Sequence, residues 1–158
     1  IAEDETGETL HDKLAAAGAE LCVKTLKALE DGTAVHEKQG ESPTAYAKML
    51  TKELGNIDWT QPAVKIERLI RGLNSWPGTY SHWNGKVMKI WKAKEEKNGG
   101  GNSQPGTVLT VGKNDFTVQT GDGILRILEV QMPGKKRMET GAFLRGNTME
   151  PGDLLTQE

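Results

Sequence analysis

The chain has 158 residues and a formal net charge of −2, and 35% of its residues are hydrophobic and 5% aromatic. This composition allows a modest hydrophobic core, with room for one domain and a piece of another. It excludes a helical membrane span, because no apolar run is long enough, and the first residues do not resemble a signal peptide. The single Cys22, between Leu21 and Val23, is expected to be a packed thiol in a reducing, cytoplasmic setting.

Charge is distributed unevenly along the chain. Residues 1–52 carry 6 Lys/Arg and 10 Asp/Glu, whereas residues 53–158 carry 14 and 12. The second part is therefore weakly basic. Whether it binds nucleic acid depends on whether its cations share one face.

The first predicted element is a long amphipathic helix. Thr9 and Asp12 have the spacing of a capping box, which predicts the helix start, and Asp31-Gly32 predicts its end. Leucines and alanines recur at helical spacing on one side. The first 50 residues offer no sheet to cover this stripe, so the helix indicates the last piece of a larger domain.

The next segment, residues 33–52, is predicted to be an interdomain linker because it is polar and contains the breaker cluster Gly40-Glu41-Ser42-Pro43. Residues 44–50 are compatible with a short helical turn whose Tyr46, Met49 and Leu50 dock on a neighbour. Lys48 and Lys52 are four residues apart and can project together, either as phosphate contacts or as solvated linker lysines.

A second amphipathic helix is predicted to begin with Pro62 as its first residue and to end before Trp76-Pro77. Its apolar face consists of Ile66, Leu69, Ile70 and Leu73. Its outer side is basic and carries Lys65, Arg68 and Arg71. Trp59 and Trp76 are both expected to pack, as core or staple residues.

The period then changes from helical to alternating. The turn Asn84-Gly85 predicts a hairpin from residues 79–83 to residues 86–93. The alternation places Val87, Lys89, Trp91 and Ala93 on one side and Met88, Ile90 and Lys92 on the other.

Short strands fill most of the remaining chain. A flexible loop is predicted at residues 95–104, and strands at 107–111, 116–120 and 124–130. Thr140 is predicted to cap a short helix that ends at Gly146, and Leu154-Leu155 close the fold. The fold class is therefore mainly β with flanking helices, as a small closed or partly open antiparallel barrel.

A basic cluster follows the longest of these strands. Pro133-Gly134 ends the strand, and Lys135, Lys136 and Arg137 come directly after it. Such a cluster at a barrel rim suits a phosphate backbone. The alternative is an ordinary solvated surface turn.

The residue types offer little for catalysis. His11, His36 and His82 lie in different predicted elements, and none is near a Ser or Cys in a nucleophile setting. No His/Cys spacing suits zinc, and no metal site is predicted. Gly121-Asp122-Gly123 precedes a strand rather than a helix, so it is not a dinucleotide fingerprint. The residues favour a binding module attached to something else.

Several segments, in order along nearly the whole chain, match a known family. They are Leu10–Leu14, Tyr46–Glu53, Ile57–Trp59, Leu69–Arg71, Asn74–Gly78, Lys89–Ala93, Pro105–Thr107, Thr120–Gly123, Gly134–Lys136 with Met138, and Phe143–Gly146. With these segments the chain resembles bacterial methionyl-tRNA formyltransferase. Ser75 departs from the family, which usually has proline before this tryptophan, and the Trp-Pro turn is retained.

The resemblance implies a division into three parts. Residues 1–32 would be the end of a Rossmann-like α/β formyltransferase domain, residues 33–52 a linker, and residues 53–158 an OB-like antiparallel β-barrel that binds tRNA. The family transfers a formyl group from formyl-tetrahydrofolate to methionyl initiator tRNA, and its catalytic Asn, His and Asp lie upstream of Ile1. We therefore expect no catalytic residue and no folate site in this chain, which would be inactive alone, as part of a cytoplasmic monomer.

The same resemblance, together with the cations of the chain, gives the candidate tRNA contacts. They would bind backbone phosphates rather than bases. The candidates are Lys48, Lys52, Arg68, Arg71, Lys89, Lys92, Lys135, Lys136, Arg137 and Arg145.

Two alternatives remain open. Related barrels are appended to formyltransferases that act on nucleotide sugars or folates, where the barrel would be an accessory domain. A free-standing OB-like module for single-stranded nucleic acid would need exposed stacking aromatics. The basic cluster favours tRNA, and binding of initiator tRNA discriminates among the three.

Overall fold

The computed structural model describes residues 1–96 and 101–157. Three α-helices and seven strands are found in these residues, with a 3₁₀ helix at Glu53–Gly55. The helices are α1 (Gly7–Glu30), α2 (Ala63–Gly72) and α3 (Thr140–Gly146). The strands are β1 (Thr79–Trp83), β2 (Lys86–Glu96), β3 (Val108–Val111), β4 (Phe116–Gln119), β5 (Ile124–Gln131), β6 (Met138–Glu139) and β7 (Leu155–Thr156).

The strands form one antiparallel sheet that curls into a half-barrel. Their order is β3-β4-β5-β2-β1-β7, with β6 added beside β5. An antiparallel bridge between Thr107 and Leu154 joins the two ends of this order. The predicted fold class, a mainly β, OB-like barrel with flanking helices, is confirmed.

The core lies between the concave side of the sheet and two of the helices. Ile66 and Ile70 of α2 are buried, as their helical spacing predicts, and Phe143 of α3 packs edge-on against Trp83 with 5.5 Å between ring centroids. Fully buried residues of the strands complete it: Met88, Ile90, Val108, Phe116, Val118, Leu125, Ile127 and Leu155.

The hairpin of β1 and β2 forms at the predicted turn. Asn84 and Gly85 both have positive φ angles, 50° and 70°, which a tight two-residue hairpin requires. β2 continues through Glu96, so the first two residues of the predicted glycine-rich loop are in fact strand. Residues 97–100 of that predicted loop lie outside the described residues.

Three predicted helix starts are wrong. Helix α1 begins three residues early, because Thr6 and Thr9 form a reciprocal capping box in which Thr6 is the N-cap. Thr140 is the first residue of α3, with Glu139 at the N-cap, and its buried hydroxyl has no hydrogen-bond partner among the described residues. Pro62 is the N-cap of α2 rather than its first residue.

Several apolar side chains predicted to pack are exposed. No residue of α1 is buried, and Cys22 on this helix is exposed, so the expected packed thiol is wrong for this chain. Residues 33–50 contain no helix, and Tyr46 and Met49 are each 89% exposed. Trp59 is buried and donates to Ser81 Oγ at 2.9 Å, but Trp76 is 59% exposed.

Candidate nucleic-acid interface

An indole ring organises the basic residues on the outer face of the sheet. Lys89 Nζ lies 5.3 Å from the centroid of the Trp91 ring, and Arg137 Cζ lies 5.1 Å from it. Trp91 Nε1 donates to Gln131 Oε1 at 3.0 Å, which fixes the ring against β5. We call these four residues, Lys89, Trp91, Gln131 and Arg137, the Trp91 cluster.

The basic residues that follow β5 lie on a tight turn, residues 132–137, which we call the basic turn. The backbone N–H of Lys135 donates to the carbonyl of Met132 at 3.0 Å. Gln131 Nε2 donates to the carbonyl of Lys135 at 2.8 Å, so the Trp91 cluster holds the backbone of the turn. The side chains of Lys135 and Lys136 are exposed.

Arg137 differs from its two neighbours because it has carboxylate and amide partners. Its Nε and Nη2 donate to the two carboxylate oxygens of Glu129, and its Nη1 reaches Asn74 Oδ1 at 3.4 Å. The hydrogen bonds with Glu129 raise the pKa of Arg137. These contacts fix the orientation of the Arg137 guanidinium, and the Glu129 carboxylate partly neutralises its charge.

A β-bulge brings Lys92 to the same outer face. Ile90 pairs with Val130 and Lys92 with Glu129, so Trp91 is the extra residue. The bulge shifts the alternation by one residue. The predicted sides are therefore wrong beyond Trp91: Ala93 packs against the core, and Lys92 is exposed.

Arg71 is occupied by structural contacts. Its Nε pairs with Glu67, one turn away on α2, and its Nη1 donates to the carbonyl of Glu5 at 2.8 Å. The hydrogen bond with Glu67 raises the pKa of Arg71. Arg71 therefore ties the segment before α1 to α2.

The remaining predicted contacts fall into two groups. Lys52 lines a cavity of about 640 Å³ together with Lys89. Lys48, Arg68 and Arg145 are exposed, and within the described chain no hydrogen bond or ion pair links them to the Trp91 cluster. The structure thus links Lys89, Arg137 and the turn that carries Lys135 and Lys136 through Trp91 and Gln131. Lys52 joins Lys89 at the cavity, and Lys92 pairs across the strands with Glu129, the partner of Arg137.

Sequence reasoning missed the residues that hold these cations. Trp91, Gln131, Glu129 and Asn74 were not candidate site residues, and Asn74 Nδ2 donates to the carbonyl of Trp91 at 3.1 Å. A usable signal was present: Trp91 lies two residues after Lys89 on one predicted side, which places a cation beside an aromatic ring.

Other kinds of site find no support in residues 1–96 and 101–157. No group of three or more His, Cys, Asp or Glu side chains in this part could hold a metal ion. The three histidines lie on α1, in the 33–52 segment and on β1. No helix within this part has the length and apolar character needed to cross a membrane.

Comparison with known sequences gives one consistent family. The family described as "Formyl transferase, C-terminal domain" matches residues 49–148. A methionyl-tRNA formyltransferase of Agathobacter rectalis is 54% identical over 156 residues, which cover 99% of this chain and 50% of that protein. One from Lachnospira eligens is 48% identical and is covered to 49%. The chain spans about half the length of the curated relatives it matches.

Comparison with solved structures agrees on the fold. A variant of HypX from Aquifex aeolicus superposes with a TM-score of 0.62 at 21% identity, covering 95% of this chain and 28% of that one. HypX in complex with tetrahydrofolic acid gives a TM-score of 0.56 at 25% identity, covering 87% of this chain and 26% of HypX. The sequence matches and this barrel together show that the chain belongs to the formyl transferase C-terminal domain family.

Proposed function

We propose that this chain is the tRNA-holding part of a methionyl-tRNA formyltransferase, a one-carbon transferase that acts on methionyl initiator tRNA. The observation that carries the proposal is that Trp91 and Gln131 link Lys89 to the turn carrying the exposed Lys135 and Lys136, with the exposed Lys92 next to Trp91 on the same strand. Cations gathered on one face neutralise several phosphates of one backbone at once, which scattered cations do not.

The role of such a surface in formyl transfer is positioning. An amine that attacks a formyl carbon gains most of its rate from being held in the right place, and a domain that grips the body of the tRNA supplies this. Formyl-tetrahydrofolate would be the formyl donor. We assign its binding, and the catalytic residues, to the half of the relatives that this chain does not span.

The arrangement supports a division of labour among the predicted cations. We propose that the phosphates are contacted by Lys52, Lys89, Lys92, Lys135 and Lys136. We propose that Lys48, Arg68 and Arg145 extend this phosphate-binding surface, which we call the phosphate track. Arg71 and Arg137 have carboxylate partners, so we propose that they mainly hold the surface in place. We also propose that the chain consists of three parts, residues 1–32, 33–52 and 53–158.

The exposure of α1 and of the segment after it supports these three parts. The apolar side of α1 exposes Leu14, Leu21 and Leu26 by 63%, 64% and 61%, which suits a helix covered by the rest of a formyltransferase domain. The segment that follows is exposed and without regular structure, as a linker would be.

A second candidate is an accessory barrel in a small-molecule formyltransferase, a role supported by the likeness to HypX, which was solved in complex with tetrahydrofolic acid. The two are separated by measuring binding of initiator tRNA to the full-length protein that carries this chain. Micromolar or tighter binding that weakens steeply with salt supports the tRNA role. Formyl transfer to a small amine with no tRNA binding supports the accessory role.

A further inference from the structure

A cavity of about 640 Å³ lies on the outer face of the β1–β2 hairpin, beside the Trp91 cluster. Its lining residues are Lys52, Pro77, Tyr80, His82, Val87 and Lys89. The volume lies within the range of pockets that take small ligands. Lys52 and Lys89 are among the proposed phosphate contacts, but that role does not account for the other four lining residues.

The floor of the cavity is built by two cross-strand pairs that lie next to each other on the same face of the hairpin. Tyr80 faces Lys89 and His82 faces Val87 in the β1–β2 register. Ser81, between the two aromatic residues, is fully buried, so strand alternation directs Tyr80 and His82 to the outer face. Their rings meet edge to face with centroids 6.0 Å apart. The floor is therefore aromatic and half-buried, and its two rings stand roughly perpendicular to each other.

The rim of the cavity is cationic. Lys89 contributes from β2 and also lies over Trp91, which links the cavity to the basic turn through Gln131. Lys52 contributes from the residue before the 3₁₀ helix. That helix is held close to β1, because Ile57 donates to the carbonyl of Tyr80 at 2.9 Å.

An aromatic floor with two cations at the rim suits one chemical class, a planar heteroaromatic ring that carries an anionic phosphate. We propose that this cavity binds a single unpaired nucleotide of the tRNA, with its base stacked on Tyr80 next to His82 and its phosphate between Lys52 and Lys89. Bases that leave the stack are commonly held on aromatic side chains, while paired RNA offers only its backbone and minor groove. This inference rests on the proposed function and deepens it.

The test compares variants of the full-length protein in binding to initiator tRNA at several salt concentrations. Tyr80→Leu removes the stacking ring and keeps apolar volume, and Lys52→Ala removes one rim charge. Tyr46→Leu and Lys113→Ala are matched controls, because both residues are exposed and lie outside the cavity. Thermal unfolding verifies that each variant is folded, and Lys52→Ala keeps the test valid should Tyr80→Leu not fold.

We expect Tyr80→Leu to weaken binding by about 5- to 100-fold, the range measured for loss of one base–aromatic stack. Because stacking releases no counterions, the dependence of log affinity on log salt should keep its slope, while Lys52→Ala should reduce the slope by roughly 0.7 to 0.9. If the wild type binds tRNA but both cavity variants match their controls, the nucleotide site is overturned and the proposed function stands. If the wild type does not bind tRNA, both are overturned.

Discussion

Arg137 lies over the ring of Trp91, with its Cζ 5.1 Å from the ring centroid, while two of its nitrogens bind Glu129. The indole is fixed from β5 by Gln131, which also holds the backbone of the basic turn. One guanidinium therefore joins β2, β5 and the turn that carries Lys135 and Lys136. Arg137 therefore has a different role from Lys135 and Lys136: it holds the turn in position, and the two exposed lysines can contact phosphate.

Replacing Arg137 tests this difference in role. Arg137→Ala removes a cation–π contact and a half-exposed ion pair, so we expect the free energy of unfolding to fall by about 1 kcal/mol in denaturant titrations. Arg137→Lys keeps the charge but loses the two-pronged geometry. Both variants should weaken tRNA binding with little change in salt slope. Full binding by Arg137→Lys would instead show that only the charge matters.

The exposed lysines of the basic turn should behave differently from Arg137. Lys135→Ala combined with Lys136→Ala should leave stability unchanged, because both side chains are exposed. The slope of log affinity against log salt should decrease by roughly 1.4 to 1.8. Lys113→Ala, on the exposed turn between β3 and β4, is the control and should have no effect. An unchanged slope in the double variant would show that this turn does not contact the phosphates of the tRNA.

The anchoring of α1 should depend on pH. The Lys13 ammonium, 2.7 Å from the Glu5 carboxylate, and the Thr9 hydroxyl lower the pKa of Glu5 from 4.5 to about 2. Because the folded value lies below the unfolded one, this carboxylate stabilises the helix start above pH 4.5, and the contribution is lost as the pH falls towards 2.

Carboxyl NMR titration of Glu5 measures this directly. Lys13→Ala should raise the pKa of Glu5 and shift the loss of helix anchoring to higher pH. Lys27→Ala, in the last turn of the same helix, should leave the titration unchanged. An ordinary pKa for Glu5 in the wild type would contradict the predicted anchoring.

Gly55 should be intolerant of a side chain. A Cβ at this position would lie 2.1 Å from the carbonyl oxygen of Gly78, so the 3₁₀ helix could no longer pack against β1. We expect Gly55→Ala to lower the free energy of unfolding by about 1 to 3 kcal/mol and to displace Lys52 from the cavity. Gly72→Ala is the matched control, since a Cβ there meets nothing within 4 Å. Equal stability of the two variants in urea would contradict the close packing.

The sequence predicted the barrel well because its signals are local. The turn at Asn84-Gly85 and the alternation of Met88 and Ile90 depend on neighbours within a few residues, and both were confirmed. The bulge at Trp91 was missed because it depends on how β2 pairs with β5, distant in the chain. Thr6 was missed as the N-cap because Thr9 offers the same chemistry three residues later.

The candidate site could be predicted only in part, because its residues meet through pairing of strands that are distant in the chain. Cations are visible in any sequence, and Lys135 and Lys136 were predicted as phosphate contacts from their position after a turn. Their grouping with Lys89 requires Gln131 and Trp91 to meet across two strands. Whether Arg137 is free or paired depends on Glu129, which only the folded hairpin brings to it. Trp76 was misjudged because an aromatic residue beside a turn can face either way.

The measurement that tests the central claim most directly is the salt dependence of initiator tRNA binding by the full-length protein. Wild type should be compared with a variant in which Lys89, Lys92, Lys135 and Lys136 are all alanine. If these lysines form one tRNA-binding face, the slope of log affinity against log salt should decrease by roughly 3 in the variant, with the barrel still folded. Equal slopes and equal affinities for the two proteins would contradict the account.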